Sequence, residues 1–226
     1  MTRRGGQRFE ITPSILLKAY ACGIFPMAEK ADDPGIFWID PTERGILPLD
    51  GFHLPRSLRK TIRRAPFDIR VDTAFAAVVD GCAEAAPGRM ETWINGQIRS
   101  LTLALAQEGF AHSVEAWDGD ALVGGLYGVS LGGDASKVAL AYLWERLCRG
   151  GYQLLDTQFL TGHLERFGAI EIDRDTYQAL LAEAIAVDAT FYPAGAGTSD
   201  SLLQHFPVTA VCSELPRHHR PGARRR

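Results

Sequence analysis

Ala111-His112-Ser113-Val114-Glu115-Ala116-Trp117, then Asp118-Gly119-Asp120, then Ala121-Leu122-Val123-Gly124-Gly125-Leu126-Tyr127-Gly128-Val129 reads as two strands joined by a tight turn. Asp-Gly between two runs of strand formers is a strong hairpin signal, because the glycine accepts the positive φ that such a turn requires. The pair predicts an antiparallel meander. Upstream, the spacing of apolar residues predicts helices over 55–64, 73–83 and 97–108 and a strand over 67–71. Downstream it predicts a helix over 134–147 stopped by Gly150-Gly151, an apolar strand over 153–159 inside the sheet, and a helix over 174–186. Near the start, Thr12-Pro13 is a cap followed by an N1 proline, which opens a helix over 14–22 that ends at Gly23. An extended segment follows at 24–26 and a short strand at 37–39, after which Pro41, Gly45 and Pro48 mark turns. Together these elements predict an α/β (α+β) protein with a small N-terminal subdomain over 1–52, a larger domain over 53–215 and a basic, disordered tail over 216–226.

Composition bounds what such a protein does. The chain has 226 residues, 46% of them hydrophobic, enough for a full core. No apolar run approaches the roughly 18 residues that span a bilayer, so a soluble, cytoplasmic protein is expected. Cys22, Cys82, Cys148 and Cys212 lie far apart, which suggests buried thiols rather than a disulfide framework or a metal site. A net charge of -3 argues against coating nucleic acid by bulk charge but leaves room for a local basic patch.

That patch is visible in the sequence. Arg56, Arg59, Lys60, Arg63 and Arg64 recur at spacings of three and four, so they share one stripe of a helix whose other side carries Leu58 and Ile62. Phosphate binding and an ordinary solvated face are both open readings, and Arg70 extends the patch in the first. On the strand Leu154-Leu155-Asp156-Thr157-Gln158-Phe159, alternation sets Asp156 and Gln158 on one face. A carboxylate in so apolar a run is either satisfied by backbone donors or poised for chemistry, and the neighbouring amide favours a polar site. Leu140, Leu143 and Leu147 form a stripe that by itself reads as core. Trp38 and Trp93 sit beside polar turns, where an indole covers an apolar edge or stacks on a base. Gly132-Gly133-Asp134-Ala135-Ser136-Lys137 matches neither a P-loop nor a dinucleotide fingerprint.

Several segments taken together resemble the leucyl/phenylalanyl-tRNA–protein transferase family. They are Ala19-Tyr20-Ala21-Cys22-Gly23-Ile24-Phe25-Pro26, Trp38-Ile39-Asp40-Pro41, the Arg-rich helix, Thr92-Trp93-Ile94, His112-Ser113-Val114-Glu115, Gly124-Gly125-Leu126-Tyr127-Gly128-Val129, Ala135-Ser136-Lys137 and Leu155-Asp156-Thr157-Gln158. The resemblance implies a domain like the GCN5-related N-acyltransferases, with a mostly antiparallel mixed sheet, that uses aminoacyl-tRNA as donor. It implies transfer of Leu or Phe, and by hydrophobic fit Met, to proteins with N-terminal Arg or Lys, marking them for degradation, with no cofactor or metal and as a monomer. By the same resemblance Asp156 orients and deprotonates the attacking amine, and Gln158 lies beside the reacting ester. Leu126, Leu140, Leu143, Leu147 and Leu155 line the donor side-chain pocket. Trp38 and Trp93 stack on the terminal adenosine, and Arg56, Arg59, Lys60, Arg63 and Arg64 hold tRNA.

The chain departs from the family pattern at one place. A Gly-Glu-Ser-Met-Phe-Ser segment, which in the family brings a glutamate and an apolar residue to the site, is absent, and Gly132-Gly133-Asp134 joins its flanks directly. A true deletion and an omitted loop both account for this. Because the flanks are unaltered, the omitted loop is favoured, and an intact mass agreeing with 24.7 kDa would exclude it. The alternatives to a transferase are an aminoacyl-tRNA-binding protein without catalysis and a CoA-dependent N-acyltransferase.

Overall fold

The computed structural model describes residues 11–64, 66–84, 92–129, 137–194 and 196–204. The expected tail, the Gly132 turn and Cys212 lie outside them. Helix α1 (Pro13–Ala21) begins where the cap predicts, with the Thr12 hydroxyl accepting the Ile15 N–H at 3.4 Å. Short strands β1 (Phe25–Met27) and β2 (Phe37–Ile39) pair antiparallel, and β3 (Glu43–Ile46) follows. Next come α2 (Arg56–Arg63), β4 (Asp68–Val71), α3 (Phe75–Ala83) and α4 (Gly96–Gln107). The last is capped by Asn95, whose side chain accepts the Ile98 N–H at 2.8 Å.

The hairpin forms as expected. β5 (His112–Asp118) and β6 (Ala121–Gly128) turn at Gly119, where φ is +58°, and β4 completes an antiparallel sheet with β5 in the centre. α3 packs against β6 and α5 (Lys137–Gly150) against β5. The main core lies on the α5 side, where Phe52 stacks on Trp144 and Phe167 and Leu47, Val114 and Leu202 are fully enclosed, while Val78, Val79 and Cys82 of α3 pack with Ile94, Ile98 and Tyr127 in a second cluster. The end of the chain adds β7 (Asp156–Gln158), β8 (Ile170–Asp173), α6 (Arg174–Ile185) and α7 (Ser199–Gln204).

The α+β class holds, and every described strand pairing is antiparallel. Among the described residues the strands form three small sheets rather than one mixed sheet. The strand expected over 153–159 inside a sheet is only three residues long and lies at the edge of the order β7-β3-β8, because Gln158 adopts φ +58° and breaks the extended run. The turn-rich segment after Pro41 contains β3, which was not expected as a strand, and β3 holds the middle of that sheet. Cys22 is exposed rather than buried, since it ends α1 at the surface, and Cys82 is buried as expected.

Candidate active site

The centre of interest is where β3 crosses β7. Ile46 is opposite Asp156 and Gly45 opposite Gln158, with a bulge between the two pairs. Gly45 is what lets the strands meet: a Cβ there would sit 2.6 Å from the Phe159 carbonyl carbon and 2.7 Å from the Leu160 nitrogen. The preceding residue, Arg44, is 2% exposed, and it was not singled out from sequence. Its Nε donates to Asp156 Oδ1 at 2.9 Å, its Nη2 to Oδ2 at 2.5 Å and its Nη1 to the Gly23 carbonyl at 2.8 Å. The guanidinium also lies between the rings of Phe25 and Tyr177, 4.7 and 4.5 Å from their centroids. Burial works against its charge, but the hydrogen bonds and charge of Asp156, with Tyr177 alongside, more than offset it and raise its pKa above the ordinary value.

Asp156 therefore sits in a built environment. Besides Arg44 it accepts the Tyr177 hydroxyl on Oδ2 at 3.0 Å and the Gln158 backbone N–H on Oδ1 at 2.7 Å. Burial first, then the charge of Asp156, push the Tyr177 phenol above its usual range, so it remains a donor. Gln158 is 4% exposed and left-handed, a conformation costly for a residue with a side chain, and such strain persists where surrounding contacts impose it. The alternation expected of a plain strand thus gives way to a turn that places Gln158 against its neighbour.

The other expected site residues fall in three places. Leu126, Leu140, Leu143, Leu147 and Leu155 are brought together, all buried in the main core. Trp38 is 38% exposed on β2 opposite Pro26, and Trp93 is partly buried with its carbonyl accepting the Ala28 N–H at 3.2 Å, so the two backbones flank β1 and the residue after it. On α2, Ile62 is buried and Leu58 packs on the core, while Arg56, Lys60, Arg63 and Arg64 are exposed and Arg59 is partly so. Arg70 does not extend this stripe. It pairs with Asp68 at 2.8 Å and covers the Trp117 ring at 4.5 Å.

Two polar clusters escaped the sequence reading. Glu115 is wholly buried and accepts hydrogen bonds from the Thr73 and Ala74 N–H groups, the Thr73 and Ser113 hydroxyls and the Trp117 indole. Asp72, at φ +56°, accepts the Ser113 N–H at 2.6 Å and meets His112 Nδ1 at 2.8 Å and the Tyr192 hydroxyl, beside a cleft of about 410 Å³ floored by Phe75, Leu103 and Ala106. The cue in the sequence was His-Ser-Val-Glu, whose alternation marks a strand but not its partners.

The chain matches the family model for leucyl/phenylalanyl-tRNA protein transferase over residues 46–182 and that for its N-terminal domain over 9–42. It belongs to that family. Proteins named leucyl/phenylalanyl-tRNA–protein transferase are similar to it across most of both chains. That of Rhodopseudomonas palustris is 53% identical over 203 residues, covering 84% of this chain and 88% of the relative. That of Afipia carboxidovorans is 52% identical over 204 residues, covering 85% and 90%, and that of Rhodospirillum rubrum 53% identical over 193, covering 80% and 91%. In each case the aligned length exceeds the stretch of this chain that it spans, so the relatives carry positions with no counterpart here. The matched ranges include Ile46, Asp156, Gln158 and Tyr177 and all of α2, while Glu43, Arg44 and Gly45 of β3 fall between the two.

Proposed function

We propose that the protein moves Leu or Phe, and by the same apolar fit Met, from aminoacyl-tRNA to the N-terminal Arg or Lys of acceptor proteins, marking them for degradation. The observation that carries this reading is the likeness, at about half identity over most of the chain, to proteins named for that transfer. The site's chemistry agrees with it. An α-amine has a pKa near 7.7–8.0 and the donor ester is already activated, so the reaction needs positioning more than acid–base power. The amine nitrogen attacks the ester carbon, the C–N bond forms as the C–O bond to the terminal ribose breaks, and the amine proton ends on the departing ribose oxygen.

In this reading Asp156 and Gln158 arrange the reacting groups, and the carboxylate draws the cationic acceptor terminus. Leu126, Leu140, Leu143, Leu147 and Leu155 select an apolar donor side chain, Trp38 and Trp93 hold the terminal adenosine, and the α2 stripe of Arg56, Arg59, Lys60, Arg63 and Arg64 holds tRNA phosphates. The protein works in the cytoplasm as a monomer, and among the described residues no helix is long and apolar enough to cross a membrane. An N-terminal subdomain to residue 52 and a catalytic domain over 53–215 complete the reading. The test is transfer of labelled leucine from Leu-tRNA to a peptide beginning with Arg, with an Ala peptide as control. Selective labelling of the Arg peptide is expected. Equal labelling of both peptides, or binding of Leu-tRNA without product, would overturn it.

A further inference from the structure

A carboxylate offers about four lone-pair sites, and four donors meet those of Asp156. Arg44 Nε and the Gln158 N–H share Oδ1, while Arg44 Nη2 and the Tyr177 hydroxyl share Oδ2. None of them is readily given up. Arg44 is enclosed between Phe25 and Tyr177 and tied to the Gly23 carbonyl, so losing its counter-charge would strand a buried cation. Tyr177 is kept protonated by burial and by the carboxylate itself. The Gln158 N–H holds a residue in the left-handed region that has no glycine to ease it. A proton arriving on Asp156 would have to displace one of these donors. By contrast, the side-chain amide of Gln158 makes no hydrogen bond among the described residues.

We propose that Arg44 and Tyr177 are positioning residues of the transfer site: they fill the lone pairs of Asp156, so that this carboxylate fixes Gln158 in its left-handed pose instead of accepting the amine proton. The proposal rests on the transfer reading above. In it the amine proton passes to the departing ribose oxygen, directly or through water, without residing on Asp156, and Gln158 meets the reacting groups with an amide that is unspent.

The test is Tyr177→Phe, which keeps the ring over Arg44 and removes only the hydroxyl. Two readouts are taken, steady-state transfer to the Arg peptide across pH and hydrogen exchange at the Gln158 amide. Positioning predicts that kcat falls about five- to tenfold while KM for Leu-tRNA and the acid limb of the pH profile stay put, and that Gln158 exchanges about tenfold faster. It also predicts no further loss when Tyr177→Phe is combined with Gln158→Ala, as expected of groups acting through one another and not of a merely structural role. A proton-accepting Asp156 predicts the opposite, because freeing a lone pair makes it more basic: kcat rises or holds and the acid limb moves to higher pH. That outcome overturns the proposal, as does additivity with Gln158→Ala or unchanged exchange. If the wild-type protein fails to transfer at all, the proposed function fails, and the exchange measurement alone decides whether Gln158 is held in this way.

Discussion

Glu115 and Asp156 are both surrounded by donors, and they differ in where the donors come from. Those of Glu115 are neutral and local to one corner of the hairpin sheet: Thr73 and Ala74 just before α3, the Ser113 hydroxyl two residues back on its own strand and an indole two residues on. Those of Asp156 include a charged guanidinium 112 residues away in sequence and a phenol on α6. Glu115 is fully enclosed, whereas the Asp156 side chain keeps 19% exposure. A carboxylate sealed among neutral dipoles supports the fold, acting here as a remote cap for α3, which has no side-chain cap of its own. A carboxylate held by a distant cation instead fixes a strained neighbour, Gln158, across separate segments of the chain, as positioning a reacting group requires.

The largest effect that would test this contrast is Glu115→Ala, which leaves buried donors without an acceptor. We expect a loss on the order of 4 kcal/mol in denaturant unfolding, and a loss under 1 kcal/mol would end the idea that Glu115 is a structural hub. Burial raises the Glu115 pKa, but the hydroxyl, indole and backbone donors outweigh this and leave it below the ordinary value. Its stabilising contribution is therefore present above the ordinary glutamate range and is lost as pH falls through the lowered folded pKa, so the protein should weaken on the acid side of pH 4.5. Glu115→Gln should flatten that acid dependence.

Next is Asp156→Ala, expected to lower transfer by about 100-fold with tRNA affinity unchanged. Asp156→Asn, which keeps an oxygen for Arg44 and for the Gln158 N–H, should lose only about tenfold. Equal losses for the two variants, measured where both are folded, would make the carboxylate a proton acceptor after all. Smaller again is Gly45→Ala. Its methyl group would collide with backbone at the β3–β7 crossing, and we expect about 2 kcal/mol lost together with reduced transfer. The smallest change is in the α2 stripe. Replacing Arg59, Lys60 and Arg63 with Gln should leave turnover at saturating tRNA near wild type while reducing the salt slope of tRNA binding by about 2, and an unmoved slope would make the stripe a solvated face.

The contrast also explains what could be read beforehand. The helix over 14–22, the hairpin and the basic stripe are written in local chemistry, a cap and proline, an Asp-Gly turn and a three-four spacing, so they were legible. Asp156 and Gln158 stood out because a polar pair interrupts an apolar run. Arg44 did not, since one arginine between Pro41 and Gly45 looks like part of a solvated turn, and its burial depends on Phe25, Asp156 and Tyr177 arriving from three separate segments. The positive φ of Gln158 was equally hidden, because no glycine marks it. β8 was missed because the alternation of Ile170-Glu171-Ile172-Asp173 spans only four residues and leaves Ile170 half exposed.

The reach from Arg44 to Asp156 also orders events while the protein is being made. As the chain leaves the ribosome, its first third emerges with a guanidinium that has no carboxylate to meet, and the two rings that enclose it come from opposite ends of the polypeptide. Only after residue 177 is clear of the tunnel can the cation be covered and Gln158 drawn into place. Nascent chains shorter than this should be inactive and should expose that charge to proteases and chaperones. Assembly of the site therefore waits for segments made much later than Arg44, through a contact that closes a loop of 112 residues.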